Sequence, residues 1–347
     1  MNAQEYIVDH EITILEAMQR LEQTSARALF ITKEGKLEAV VSDGDVRRWL
    51  ISGGDIKEKV SCCANYKPKY LINESDEYAR IFLKENSIEV VPIVDEDMHI
   101  KRVVRWNQGV AKVLRKPINL PVVMMAGGMG KRLYPYTKIL PKPLIPIGEI
   151  PISEHIINQF REYGCEDYYL IVNYKKKMIK AYFSDVAKDY NVFYVDEETP
   201  LGTGGGLSLL KGRINSTFIL TNCDILIRED FSKIYKYHME QSNVITMVCA
   251  LQNIQVPYGV VNISNGGQID SMEEKPILSF LTNTGCYIVE AEVIDEIQMN
   301  TAIDFPDIID KYRKQGKKVG AYPIGQDAWM DMGQMDEFEK MRKRMEC

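Results

Sequence analysis

The chain has 347 residues, with 43 Lys and Arg against 49 Asp and Glu, a formal net charge of -6 and 45% hydrophobic residues. That length holds about two or three domains, each able to bury its own core. The acidic balance argues against broad binding to nucleic acid or an anionic membrane, and no apolar run approaches the roughly 18 residues of a spanning helix. The first ten residues are polar and acidic, which sets a standard signal peptide aside. The cysteines are Cys62, Cys63, Cys165, Cys223, Cys249, Cys286 and Cys347, with no C-x-x-C among them, and the histidines have no zinc spacing. They read as reduced cytosolic thiols that fill cores.

Residues 1–118 read as two copies of one unit, about 1–57 and 58–118. In the first, Ile14, Leu15, Met18 and Leu21 have helical spacing. The strand Ala28 to Thr32, a turn at Lys33 to Lys36, a strand Leu37 to Val41 and a helix from Val46 follow. In the second, Ala79, Ile81 and Phe82 sit on a helix, Glu89 to Val94 and Ile100 to Val104 are strands, and Asp95 to Met98 is the turn between them. The offset is about 60 residues, and two such halves bury their apolar faces on each other. Between the first pair of strands and the next helix stand Ser42, Asp43, Gly44 and Asp45.

This order resembles a tandem pair of CBS domains, an α+β module that binds adenine nucleotides between its halves. Ser42 and Asp45 match the family's [ST]-x-x-D. The resemblance implies that Asp45 accepts hydrogen bonds from ribose hydroxyls and that Ser42 sits near the phosphate. Glu38 and Ala39 stand where the family usually has Gly, and the second copy has Arg105 and Gln108 at the matching positions, so one nucleotide site at most is expected. Ser42 and Asp45 also suit the cap of the helix that follows, and the module also suits dimerisation alone.

Val113 to Pro121 has two prolines, two basic residues and no clear periodicity. The domain boundary is expected there, with a second domain over 119–347. Val122 to Met125 reads as a buried strand, after which the chain becomes glycine-rich through Ala126, Gly127, Gly128 and Gly130 and reaches Lys131 and Arg132. Such a loop brings backbone N–H groups close to phosphate oxygens, with added positive charge. It is not a P-loop, because Met125 replaces the first Gly and Arg132 follows Lys131 where Ser or Thr belongs. It is not the dinucleotide fingerprint either, because Leu133 stands where the third Gly belongs.

Beyond it, strands are expected at Tyr169 to Val172, Val192 to Val195 and Thr217 to Thr221. A helix carrying Ile152, Ile156, Ile157, Phe160 and Tyr163 closes at Gly164. Strands alternating with helices predict an α/β fold with a Rossmann-like doubly wound mixed sheet, ligands sitting at the carboxyl ends of its strands.

Taken together, the motifs over about 120–340 resemble the sugar-1-phosphate nucleotidyltransferases, also called NDP-sugar pyrophosphorylases. Ala126 to Leu133 and Pro141-Lys142 match the family's opening A-G-G-x-G-[TK]-R-L and P-K. The resemblance implies that the Ala126, Gly127, Gly128 and Gly130 loop binds the nucleotide, that Arg132 contacts the triphosphate and that Lys142 contacts the reacting phosphates. Glu197 to Gly206 resembles the base-recognition loop, with Glu197, Gly202 and Thr203 at the nucleotide. Glu197 stands where many uridylyl- and thymidylyltransferases have Gln. A carboxylate only accepts hydrogen bonds, so Glu197 suits the adjacent N1–H and N2–H donors of guanine. That favours GTP; some uridylyltransferases also carry Glu nearby.

Asp224, at the end of an apolar strand, and Asp331, in Trp329 to Gly333, match the family's two metal-binding Asp residues and imply Mg²⁺. Gly259 in Pro257 to Val260, Glu274 and Lys275 in Glu273 to Pro276, and Thr284 in Asn283 to Tyr287 match the sugar-phosphate side. The resemblance implies a cytoplasmic enzyme, in bacterial surface-sugar or nonulosonic acid biosynthesis, that joins an NTP to a sugar 1-phosphate and releases pyrophosphate. The alternatives are a uridylyl- or thymidylyltransferase on the same fold and a nucleotide-sensing regulator with a retired transferase domain. Only a short charged helix is expected after Asp331, so a homodimer is expected to form through the CBS pair.

Overall fold

The computed structural model describes residues 3–23, 28–86, 88–105, 115–186, 188–333 and 335–346. The chain divides into two compact units, Met1–Val113 and Leu114–Cys347. Gln108, Cys347 and the first two residues of the expected boundary segment lie outside the described residues.

The N-terminal unit contains two small three-stranded sheets. The first has the order Ile7–Asp9, Ala28–Lys33, Lys36–Ser42, and the second Leu71–Ile72, Val90–Val94, Ile100–Arg105. In both, the central strand is parallel to the first and antiparallel to the third. Strand alternation explains how each sheet buries two faces. Leu29 and Ile31 point toward Ile14, Ala17 and Leu21 of the Ile14–Gln23 helix, while Phe30 between them joins Tyr6, Leu37, Val90 and Val94 in a core shared by the two halves. In the second half, Val91 and Ile93 pack with Ala79 and Leu83 of the Asp76–Glu85 helix.

The helix expected from Val46 begins at Asp43, because Ser42 is its N-cap. The Asp45 N–H donates to Ser42 Oγ at 3.3 Å, and the Ser42 N–H and hydroxyl both donate to Asp45 Oδ2, at 2.8 and 2.6 Å. This reciprocal capping box satisfies backbone donors that a helix start otherwise leaves open.

The C-terminal unit is built on a seven-stranded sheet of order Asn191–Asp196, Asp167–Val172, Val122–Met125, Phe218–Asn222, Ile277–Val289, Ile245–Gln255, Val319–Ile324. Only Ile277–Val289 runs against the others. In the Val122–Met125 strand, Val122 and Met124 face Ile152, Ile156 and Phe160, and Val123 faces Leu207, Leu210, Ile308 and Tyr312 on the other side. Helices on both faces make the sheet doubly wound and mixed.

Chain order and sheet order together fix where a ligand fits. From Val122–Met125 the chain moves to Asp167–Val172 and Asn191–Asp196 on one side, then returns to Phe218–Asn222 on the other. The order reverses at the Val122–Met125 strand, and in open α/β sheets ligands bind outside the carboxyl ends at such a point. Farther along, Ile245–Gln255 and Ile277–Val289 form a long antiparallel arm, paired as far as Gln255 and Ile277. The hairpin Val260–Ile263 with Ile269–Glu273 lies between them in the chain.

Replacing Ser42 by Ala removes one capping acceptor and is expected to lower the stability of the N-terminal unit by about 1 kcal/mol. Urea unfolding of the full chain checks this; an unchanged midpoint for that unit would contradict the capping role.

Candidate active site at the strand ends

The glycine loop leaves the sheet at Met125. Its first residue, Ala126, is buried and its N–H donates to the Ile171 carbonyl at 2.9 Å, in the next strand. The Gly127 carbonyl accepts from the Tyr174 N–H at 3.3 Å. Gly130 has φ +63, and a Cβ there would lie 2.7 Å from Thr137 Cγ2 and 3.3 Å from Lys142 Cβ. Conformation and space both demand glycine. The hydroxyl of buried Thr137 donates to the Gly130 carbonyl at 3.0 Å and pins the loop. Thr137 was not singled out in the sequence, since its partner is a backbone atom with no side-chain signature.

Glu197 directly follows the Asn191–Asp196 strand, which lies two places from the loop's own strand in the sheet, and meets this loop. A Cβ on Gly127 would lie 2.8 Å from Glu197 Oε2, and a Cβ on Gly206 would lie 2.5 Å from Glu197 Oε1. Two glycines, distant in sequence, therefore flank one carboxyl group. Its backbone is fixed by the N–H donating to the Val172 carbonyl at 3.0 Å and by Asn173 Nδ2 donating to its carbonyl at 3.0 Å. The side chain is buried, and Oε1 has no hydrogen-bond partner. Burial pushes the carboxyl up to about 7, opposed only by a hydrogen bond from the Leu201 backbone. Asn173 also escaped sequence reading, although a polar residue directly after a strand was the available signal.

The remaining glycines of that segment serve packing. Cβ atoms on Gly202, Gly204 and Gly205 would approach Ile303, Phe305 and Thr301 backbone atoms within 2.2 to 3.0 Å. Thr203 is held by the same segment: its N–H and hydroxyl donate to Asp304 Oδ1 at 3.0 and 3.1 Å, and its hydroxyl accepts from the Phe305 N–H at 3.0 Å. The 201–206 loop is thus shaped from behind by residues 301–305.

On the other side of the glycine loop, Asp224 follows the Phe218–Asn222 strand. The Lys142 ammonium contacts Asp224 Oδ2, and the two side chains are 13% and 10% exposed. Asp331 is brought in by a short antiparallel pairing of Ile225–Ile227 with Trp329–Asp331 and by the Met332 N–H, which donates to the Asp224 carbonyl at 2.8 Å. The Gly333 N–H donates to Asp331 Oδ1 at 2.6 Å. Burial and the Asp224 charge raise the Asp331 carboxyl, against the Gly333 hydrogen bond and the charges of Lys142 and Arg132. Burial alone would lower the Lys142 ammonium, but the Asp224 charge, with a smaller contribution from Asp331, outweighs it and the net shift is upward. Arg132, Lys142, Asp224 and Asp331 therefore form one electrostatic group.

Cys223 lies inside this group, and burial, then Asp224, pushes its thiol up to about 12. It stays protonated and is a poor nucleophile. The Asp224 and Asp331 carboxylates are hard oxygen donors that repel each other and draw a cation. That donor set fits Mg²⁺, a hard cation that takes oxygen ligands, and Asp224 and Asp331 would hold it. Among the described residues, no group of three or more His, Cys, Asp and Glu forms an all-protein metal cage.

The third group sits at the base of the hairpin. Val260 pairs with Glu273, and a Cβ on Gly259 would lie 2.9 Å from Glu274 Oε2, so Gly259, Glu274 and Lys275 come together on an exposed edge. Thr284 is buried in the sheet. Its hydroxyl donates to the Val248 carbonyl at 2.7 Å and accepts from the Cys286 N–H at 3.3 Å, so its polar capacity is largely used internally. In the N-terminal unit, Asp45 is likewise engaged, through Oδ2 with Ser42 and through Oδ1 with the Arg48 guanidinium.

The family model for nucleotidyl transferases matches residues 121–346, and that for the CBS domain matches residues 1–52. A mannose-1-phosphate guanyltransferase of Saccharomyces cerevisiae is 31% identical over 229 residues, covering 62% of this chain and 62% of its own length. A UTP–glucose-1-phosphate uridylyltransferase of Synechocystis is 29% identical over 244 residues, covering 63% of this chain and 61% of its own. The chain thus spans about 62% of the length of curated relatives that it matches. Among solved structures, HddC from Yersinia pseudotuberculosis shares the fold, with a TM-score of 0.52 and 23% identity over 65% of this chain and 99% of that one.

Gly206 lies in helical conformation, where Ala is ordinarily better by about 1 kcal/mol. Because its Cβ would press on Glu197 Oε1, Gly206→Ala is expected to lower the melting temperature. A raised melting temperature would show that the carboxyl moves aside at no cost.

Proposed function

The chain belongs to the nucleotidyl transferase family, with a CBS domain ahead of that domain, and we propose that it transfers a nucleotidyl group from an NTP to a sugar 1-phosphate, releasing pyrophosphate. The observation that carries this reading is the gathering of Arg132, Lys142, Asp224 and Asp331 on one side of the glycine loop and Glu197 on the other. Cations beside paired carboxylates suit the handling of a triphosphate. A buried acceptor beside the loop suits the reading of a base.

In the proposed reaction, an oxygen of the sugar phosphate attacks the α-phosphorus in line, and the bond to the pyrophosphate oxygen breaks. A phosphate monoester has a second pKa near 6, so at neutral pH it is largely dianionic and needs no general base. The protein's work is positioning and neutralisation of charge. The Gly127 and Gly128 backbone holds the nucleotide, Arg132 offsets charge on the triphosphate, and Lys142 on the reacting phosphates. Bound between Asp224 and Asp331, Mg²⁺ would supply a positive centre for phosphate oxygens. Gly259 leaves room beside the sugar, Glu274 binds its hydroxyls and Lys275 its phosphate; the hairpin base that joins these residues supports that assignment.

GTP is the proposed donor. Glu197 Oε1 is a buried acceptor without a donor, and guanine presents two donors side by side. In the N-terminal unit the proposed ligand is an adenine nucleotide near Ser42 and Asp45, which would have to replace the hydrogen bonds these residues make in the capping box.

The direct test is to screen four NTPs against a panel of sugar 1-phosphates with Mg²⁺ and read pyrophosphate. Release that requires a sugar 1-phosphate is expected; release from no pair would contradict the proposal. Asp331→Asn is expected to fold normally and to lose at least about a hundredfold in turnover, or about 2.7 kcal/mol. Wild-type turnover in that variant would remove Asp331 from the site.

A further inference from the structure

Glu197 is a buried carboxyl group with no cation against it among the described residues. On its own strand and the residue after it, Asp196 pairs with Lys180 at 2.7 Å and Lys176 at 3.7 Å, and exposed Glu198 with Lys176 at 3.8 Å. The elements packed against the carboxyl present Gly127 of the loop, Asn173 after the adjacent strand, and Leu201 and Gly206 of the following segment, none of them ionisable. What reaches the carboxyl is a backbone N–H from Leu201, leaving Oε1 without a donor. Its charged form is therefore paid for by one hydrogen bond and no ion pair, and burial opposes it.

The two protonation states of such a group present different hydrogen-bond patterns. The carboxylate offers two acceptors. The acid offers one donor and one acceptor, as an amide does. Guanine presents N1–H and N2–H to the carboxylate, and N1–H with O6 to the acid, so it pairs with both states. Uracil and thymine present N3–H between two carbonyl oxygens. They pair with the acid, but against the carboxylate one carbonyl oxygen faces a charged oxygen.

Resting on the reading of Glu197 as the base-contacting residue, we propose that its protonation state sets base selectivity: the carboxylate admits guanine and excludes uracil and thymine, and the acid admits all of them. The site is then a selective guanine reader on the alkaline side of neutrality and a permissive one on the acid side. The sign follows directly. With the carboxyl at about 7, lowering the pH fills the acid state and raises affinity for UTP. GTP affinity changes little by this route, and the titration of the triphosphate itself is common to both nucleotides and cancels in their ratio.

The test is calorimetric titration of the full chain with GTP and with UTP, Mg²⁺ present, between pH 6 and pH 8, in two buffers of different ionisation enthalpy. The acid fraction falls from about 0.9 to about 0.1 over that range, so the ratio of UTP to GTP dissociation constants is expected to rise about tenfold. UTP is expected to take up about one more proton than GTP at pH 8. In Glu197→Gln, which fixes the donor-acceptor pattern, the ratio is expected to be low and independent of pH. A flat wild-type ratio beside a lower, flat ratio in Glu197→Gln would overturn the protonation switch while leaving Glu197 at the base. Identical ratios in the two proteins at every pH would remove Glu197 from the base and the inference with it.

Discussion

The ion pair between Lys142 and Asp224 is the contact around which the candidate site is arranged. It joins the segment after the glycine loop to the end of the Phe218–Asn222 strand, and it is largely withdrawn from water. A buried pair of this kind costs much of what it gains, because both ions lose hydration. Hydrophobic side chains would fill the same space without that cost. The pair makes sense as machinery: it holds an ammonium against a carboxylate, with Asp331 and Arg132 in the same field, where the proposed reaction would place phosphate charge.

Two consequences extend from this pair. Gly130 packs against Lys142 and Thr137, so the glycine loop takes its shape from the residue that pairs with Asp224. The same loop closes over Glu197 at Gly127. Charge handling and the proposed base reading therefore share one short piece of backbone, placed where the strand order reverses. The group contains no activated nucleophile of its own. Cys223, next to Asp224 in the sequence, is a thiol that burial holds protonated. Direct attack by the acceptor on the α-phosphorus, as proposed, agrees with that chemistry.

Much of this was legible in the chain itself. The strands Val122–Met125, Asp167–Val172 and Asn191–Asp196 announce themselves by apolar runs, and the polar motifs after them mark the carboxyl ends. The capping box of Ser42 and Asp45 was legible as an alternative to a ligand site, because both roles use the same residue types. Long-range placement was not legible. The pairing of Ile225–Ile227 with Trp329–Asp331 brings two Asp residues together from segments far apart in the chain, and nothing local in either segment specifies the other. The same holds for Asp304, which fixes Thr203, and for the Val248 carbonyl, which takes up the Thr284 hydroxyl. Hydrogen bonds to backbone atoms leave no pattern in side-chain identity. The glycine run through 202, 204 and 205 is plain in the sequence, but what lies against it is the 301–305 segment of the protein itself.

The central claim is that this cluster of cations and carboxylates transfers a nucleotidyl group directly to the acceptor phosphate, with no covalent intermediate on the protein. The most direct measurement is the stereochemical course at the α-phosphorus, followed by phosphorus NMR with a GTP analogue chiral by sulfur substitution there. Inversion of configuration is expected, the outcome of a single in-line displacement. Retention would require two displacements and a nucleotidylated residue, and would contradict it.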